Sequence, residues 1–106
     1  MKSKFVDQKL VRNMRYFQVD WLHENNEYPI SIFAEIDDEG WEIRKIEVFR
    51  DGHKGFAENF EDEGETMLGE KPWPEIEVIV SDDQFKAREL SFAEFESEWL
   101  NRFENS

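Results

Sequence analysis

Between Tyr16 and Glu58 large apolar residues recur at every second position, and the recurrence is broken only at His23–Glu27, Asp37–Gly40 and Asp51–Gly52. A period of two marks strands with one face turned to a core, and polar clusters with Asn, Asp and Gly mark the turns between them. Connections this short cannot carry the chain back to start a parallel neighbour, so successive strands have to pair antiparallel. Phe17, Val19 and Trp21 alternate with Gln18 and Asp20 as a first strand. Ile30, Ile32, Ala34 and Ile36 alternate with Ser31, Phe33 and Glu35 as a second. Trp41 to Arg50 forms a third, in which Trp41 and Ile43 share one parity and Ile46 and Val48 the other. The slip at Arg44–Lys45 is that of a β-bulge. Asp51–Gly52 between extended runs predicts a hairpin, with the returning strand over 53–58.

Beyond Glu58 the alternation stops. Glu58, Glu61, Asp62, Glu63, Gly64 and Glu65 read as an exposed acidic loop, ended by Pro72-Trp73-Pro74. Residues 75–80 are open to two readings. Their β-branched residues favour a strand; Pro74, with Glu75 and Glu77 behind it, favours a short helix. Phe85 to Leu90 is a short extended segment. Ser91 and Glu94 have capping-box spacing, and Phe92, Phe95, Trp99, Leu100 and Phe103 follow on one helical face. The predicted fold is α+β: an antiparallel four- to five-stranded meander sheet with a C-terminal helix packed on one face and a short helix before it. Phe92, Phe95, Trp99 and Leu100 are expected to bury against Phe17, Val19, Trp21 and Ile32.

A length of 106 residues fits one domain. Residues 1–14 read as a loosely held N-terminal extension and 15–104 as a single α+β domain. The extension carries Lys2, Lys4, Lys9 and Arg12 against Asp7 alone, and an amphipathic first helix through Phe5, Gln8, Lys9 and Arg12 is its rival reading. Met14, directly before the first strand, could serve as an internal start.

The chain holds 26 acidic and 13 basic side chains, a formal net charge of −13. Aromatic residues make up 15 % of it, which separates it from disordered acidic tails that have nothing to bury. Such a charge repels nucleic acid and anionic lipid and speeds encounters with basic proteins. The plain alternative is that it serves solubility. With no Cys, no apolar run of membrane-spanning length and no signal-peptide apolar region, the expected location is the cytoplasm. Neither direct nucleic-acid binding nor membrane binding is expected.

No catalytic residue is assigned. His23 and His53 could titrate near neutrality, but neither stands in a motif. No phosphate-binding glycine loop, nucleophile elbow or H-E-x-x-H is present. The acidic clusters offer oxygen ligands without the spacing of a Ca²⁺ loop, so neither metal nor cofactor is assigned.

Trp41-Glu42-Ile43-Arg44-Lys45-Ile46-Glu47-Val48-Phe49-Arg50-Asp51-Gly52 resembles the signature of a bacterial family of uncharacterised small domains, whose members read W-E-x-R-K-[IV]-E-x-F-x-D-G. The likeness extends to Phe17–Trp21, Ala34–Asp37, Leu68–Pro74 and Phe95–Trp99, and residues 1–14 lie outside it. Within it Ile76 to Val80 departs from a more helix-like stretch. The resemblance implies a fold and no activity, and it favours helix over strand at 75–80.

The functional expectation is an acidic protein-binding module: an inhibitor or immunity protein that occupies the active site of a basic nuclease toxin. The candidate contacts are Asp37, Asp38, Glu39, Glu61, Asp62, Glu63 and Glu65, with Trp73 as an exposed aromatic anchor. The alternative is a small-ligand-binding or metabolic enzyme domain that uses Arg44, Lys45 and His53 to orient an anionic group.

Overall fold

The computed structural model describes residues 14–58, 61–63 and 66–104. Six strands form one sheet: β1 (Arg15–Trp21), β2 (Ser31–Ile36), β3 (Glu42–Val48), β4 (Lys54–Glu58), β5 (Glu61–Glu63) and β6 (Phe85–Leu90). Helix α1 (Ile76–Val80) precedes β6, and α2 (Phe92–Leu100) follows it. The strand order is β5-β4-β3-β2-β1-β6, antiparallel throughout. β1 to β4 are the predicted meander, and β5 extends it. The chain then travels from one edge of the sheet to the other, so that β6 pairs with the outer side of β1. The fold is thus α+β as predicted, with five strands of five to seven residues and a three-residue strand at the edge.

That edge strand corrects the reading of the acidic segment as loop. Phe56 pairs with Glu63 and Glu58 with Glu61, so the backbone of β4 draws these acids into the ladder despite their low strand propensity. The expectations for residues 1–13 and for Glu65 lie outside the described residues.

Both hairpins around β3 close in the same way. Asp37 donates its N–H to the carbonyl of Trp41, Gly40 donates to the carbonyl of Asp37, and Gly40 has φ +91°. Phe49, Gly52 and His53 repeat this pattern, with Gly52 at φ +94°. Each is a three-residue loop that needs a left-handed residue, and glycine supplies it without strain. The bulge in β3 falls one residue earlier than predicted. Glu35 pairs with Arg44 and Ile36 with Glu42, which leaves Ile43 as the extra residue.

The two faces of the sheet carry separate cores. Tyr16, Phe33, Ile46 and Leu90 receive Phe95 and Trp99 from α2. Phe17, Val19, Ala34 and Ile36 lie on the opposite face, under Trp73 and the α1 residues Ile76 and Ile79. This corrects the predicted docking of the C-terminal helix against Phe17, Val19, Trp21 and Ile32. The more apolar parity of β1 faces α1 and Trp73 instead, and α2 lies on the side where Tyr16 is followed by Gln18 and Asp20, its bed completed by Phe33, Ile46 and Leu90 from other strands. It also corrects the predicted helix face, because Phe92, Leu100 and Phe103 are exposed. The nine-residue helix can press only Phe95 and Trp99 fully onto the sheet.

At α1 the strand-like sequence yields to its surroundings. In a helix Ile76 and Ile79 fall on one side, an i, i+3 pair that covers the Phe17 core, while Val78 and Val80 are left outside. At α2 the capping box is present: the Ser91 side chain accepts from the Glu94 N–H, and the Glu94 carboxylate accepts from the Ser91 N–H.

Candidate partner-binding surface

The bulge at Ile43 sends the charges of β3 to different sides. Arg44 points to the α2 face. Its Nε donates to Glu35 Oε1 at 2.6 Å and its Nη2 donates to Glu96 Oε2 at 2.6 Å. Its guanidinium also lies over the rings of Phe95 and Trp99, 4.9 and 5.1 Å from their centroids. Burial works to lower its pKa, and the bonds to Glu35 and Glu96 outweigh that and hold it above the ordinary value. Arg44 therefore fastens α2 to the sheet.

Glu42, Lys45 and Glu47 share the other face. Lys45 Nζ lies 3.1 Å from Glu42 and 3.9 Å from Glu47. Those two carboxylates also hold the segment that crosses the sheet. Glu47 accepts from the buried Thr66 hydroxyl at 2.9 Å, and Glu42 accepts from the Gly69 N–H and from the Trp73 indole N–H, the latter at 2.7 Å. Largely buried ion pairs of this kind place a segment more than they stabilise it, since desolvation offsets much of the attraction.

The residues named for the alternative site are thus not brought together. Arg44 and Lys45 lie on opposite faces, each satisfied by carboxylates. His53 is exposed on its hairpin, with its ring flat on Phe49 at 4.4 Å and its Nδ1 bonded to Asp51. His23 is committed to its turn. Its Nδ1 accepts from the Asn25 N–H, which leaves Nε2 to donate to the Pro29 carbonyl at 2.8 Å.

The acidic candidates fare differently. Asp37 is partly used by its hairpin, where Oδ1 accepts from the N–H groups of Glu39 and Trp41, both at 2.9 Å. Asp38 and Glu39 are exposed at the tip. Trp73 joins them, because its N–H donates to the Gly40 carbonyl at 2.8 Å. It is half-buried rather than exposed, with one ring face toward Phe17 at 6.2 Å. A shallow depression lined by Asp38, Glu39, Trp73, Pro74 and Glu75 results. β4 ends and β5 begins at the same end of the sheet as this turn. Glu58 and Glu61 pair there across β4 and β5, and Ile36 and Glu42 pair there across β2 and β3. At about 4.8 Å per strand, these two pairs are some 10 Å apart along that end. The structure therefore places the Asp38–Glu39 turn, Trp73 and the backbone of Glu61 along one end of the sheet.

Arg15, which lines this depression, is already engaged. Arg15 forms a two-pronged pair with Glu89, its nitrogens donating at 3.0 and 3.1 Å, and this bond raises the Arg15 pKa and lowers that of Glu89. Glu75 and Glu77 add further negative charge around Arg15. Among the described residues no three His, Asp or Glu side chains converge as metal ligands.

Comparison with known proteins gives one match, to the family described as "Domain of unknown function (DUF6881)", and it covers residues 15–104. The chain belongs to that family. No curated protein and no solved structure matches it. The W-E-x-R-K-I-E run of this DUF6881 domain has a structural explanation in the two-sided clamp just described. Sequence reasoning missed that clamp. Its signal was present in the parity shared by Glu42, Lys45 and Glu47 once a bulge is placed at Ile43.

Proposed function

We propose that this DUF6881 domain is an acidic protein-binding module that captures a basic partner through the end of the sheet carrying Asp38, Glu39 and the Glu58–Glu61 connection. One observation supports the reading above the rest. Asp38, Glu39 and Glu75 line one depression at that end, while Arg15, Arg44 and Lys45 are occupied by Glu89, Glu35, Glu96, Glu42 and Glu47. Asp38 and Glu39 form no ion pair among the described residues, which favours fast capture of a cationic surface. The finer form of the proposal is an inhibitor or immunity protein of the cytoplasm. Its partner is a nuclease toxin whose phosphate-binding site is basic and is blocked by these carboxylates.

The test is capture from the native host at low salt, followed by a nuclease assay of whatever is retained. A retained nuclease that regains activity when Asp38, Glu39, Glu75 and Glu77 are reversed to Lys supports the proposal. Retention of no basic protein at low salt refutes it.

A further inference from the structure

Between α1, the crossing segment and the sheet lies a cleft of about 420 Å³, in the lower range for pockets that take small groups. Trp73 forms one wall, and Val78 and Phe85 contribute to the other. Val78 is 58 % exposed at the rim, an apolar group left in water beside a concave apolar surface. Asp82 stands exposed at the same rim. Its Oδ1 accepts from the Gln84 N–H at 2.9 Å, and the other carboxylate oxygen has no partner among the described residues. In the floor, Lys45 is neutralised by Glu42 and Glu47.

These charges select the occupant. An anionic ligand would meet Asp82 and Glu42 and find the only lining ammonium already paired. A purely apolar group would leave Asp82 unanswered. An apolar stem with a delocalised cation at its tip satisfies both, since it can lie along Val78 and Phe85, meet the Trp73 ring and reach the carboxylate. The geometry points to an arginine side chain of the partner as the occupant of this cleft, with its guanidinium at Asp82. The inference rests on the proposed capture of a basic protein and gives that capture its anchor, since arginine and tryptophan are both enriched among interface hot spots.

The test uses ¹⁵N-labelled protein and four capped tripeptides of the form Gly-X-Gly. X is arginine, norleucine (stem without charge), diaminopropionate (charge without stem) or glutamate. The arginine peptide is expected to shift the Trp73 indole N–H and the amides of Val78 and Asp82, with at least three-fold higher affinity than norleucine. Diaminopropionate should move only the Asp38–Glu39 end, and glutamate nothing. Asp82→Asn keeps the acceptor for Gln84 and should weaken the arginine peptide at least three-fold without changing norleucine. Val78→Trp should close the rim and remove the cleft shifts, with an unchanged denaturation midpoint showing that the fold is intact. Norleucine binding as well as arginine, or a silent cleft while the Asp38–Glu39 end responds, overturns the arginine anchor and leaves the acidic-end proposal standing. Cleft shifts without any response at Asp38 and Glu39 overturn the acidic end and sustain the anchor.

Discussion

Tyr16 is buried beside Glu35 and within reach of α2, with its ring 5.3 Å from that of Phe95. Burial first, then the charge and hydrogen bond of Glu35, push its pKa up to about 12 from 10.0. The neutral phenol is thus favoured in the folded state. Its contribution is complete below pH 10 and is lost as pH rises through about 12. Over that window the wild type should lose roughly 2–3 kcal/mol of stability through this group. Tyr16→Phe keeps the ring and removes the titration. It should start about 1 kcal/mol less stable at neutral pH and fall less steeply between pH 10 and 12. Urea denaturation of both proteins at pH 8 and pH 11.5 measures the difference, and parallel losses would show that Tyr16 does not carry it. Trp99 is 6 % exposed, with the Arg102 guanidinium 4.1 Å from its ring centroid and Phe56 edge-on at 5.9 Å. Trp99→Ala should cost roughly 3–5 kcal/mol, read from the same kind of curve.

At the scale of elements, the segment that crosses the sheet is held by a few bonds to hairpin and strand. A Cβ on Gly40 would stand 2.8 Å from the Trp73 carbonyl oxygen, and the φ of +91° is itself unfavourable for alanine. Where the backbone is compatible Gly→Ala stabilises by about 0.4–1 kcal/mol; here Gly40→Ala should instead destabilise by more than that amount and should free the Trp73 indole. The expected sign is a red-shifted, more quenchable tryptophan emission, and an unchanged spectrum would show that the segment is held elsewhere. Strands β1 to β4 and the cap at Ser91 were legible in the sequence because they depend on local period and turn chemistry. The face taken by α2 was not, because the alternation in β1 marks the Phe17–Val19 side, while the bed of α2 is assembled from one residue of each of four strands, Tyr16, Phe33, Ile46 and Leu90. The roles of Arg44 and Lys45 were equally hidden. Their neighbours in space, Glu96, Thr66 and Trp73, are remote in sequence, so a basic pair that looked available is in fact enclosed. The grouping of Asp38, Glu39 and Trp73 at one end could not be read either, since it follows from a path across the sheet that no local pattern encodes.

For the whole molecule, net charge of −13 makes ionic strength the main control on any encounter. The Debye length falls from about 30 Å at 0.01 M to about 8 Å at 0.15 M. Association with a basic partner should slow steeply over that range, and reversing Asp38, Glu39, Glu75 and Glu77 to Lys should flatten the dependence while leaving the unfolding midpoint nearly unchanged. Stopped-flow mixing across a salt series reads both, and rates that ignore salt and mutation alike would leave the acidic end without a binding role. The place of β1 in the strand order bears on a different matter, the order in which the chain is made. β1 is synthesised before the other strands described here, yet one of its two neighbours, β6, comes from the far end of the sequence, with Arg15 and Glu89 separated by 74 positions. Until β6 leaves the ribosome, the nascent sheet shows an open edge at β1 with Tyr16, Phe17 and Val19 along it, the kind of edge that recruits other chains. The strand that finally closes it exposes Lys86, Arg88 and Glu89, so a sticky border is replaced by a charged one once β6 has been made. Chains cut short before β6 should accordingly self-associate at concentrations where the full chain stays dispersed, and the cell's interest in completing this domain quickly lies as much in that edge as in any partner it binds.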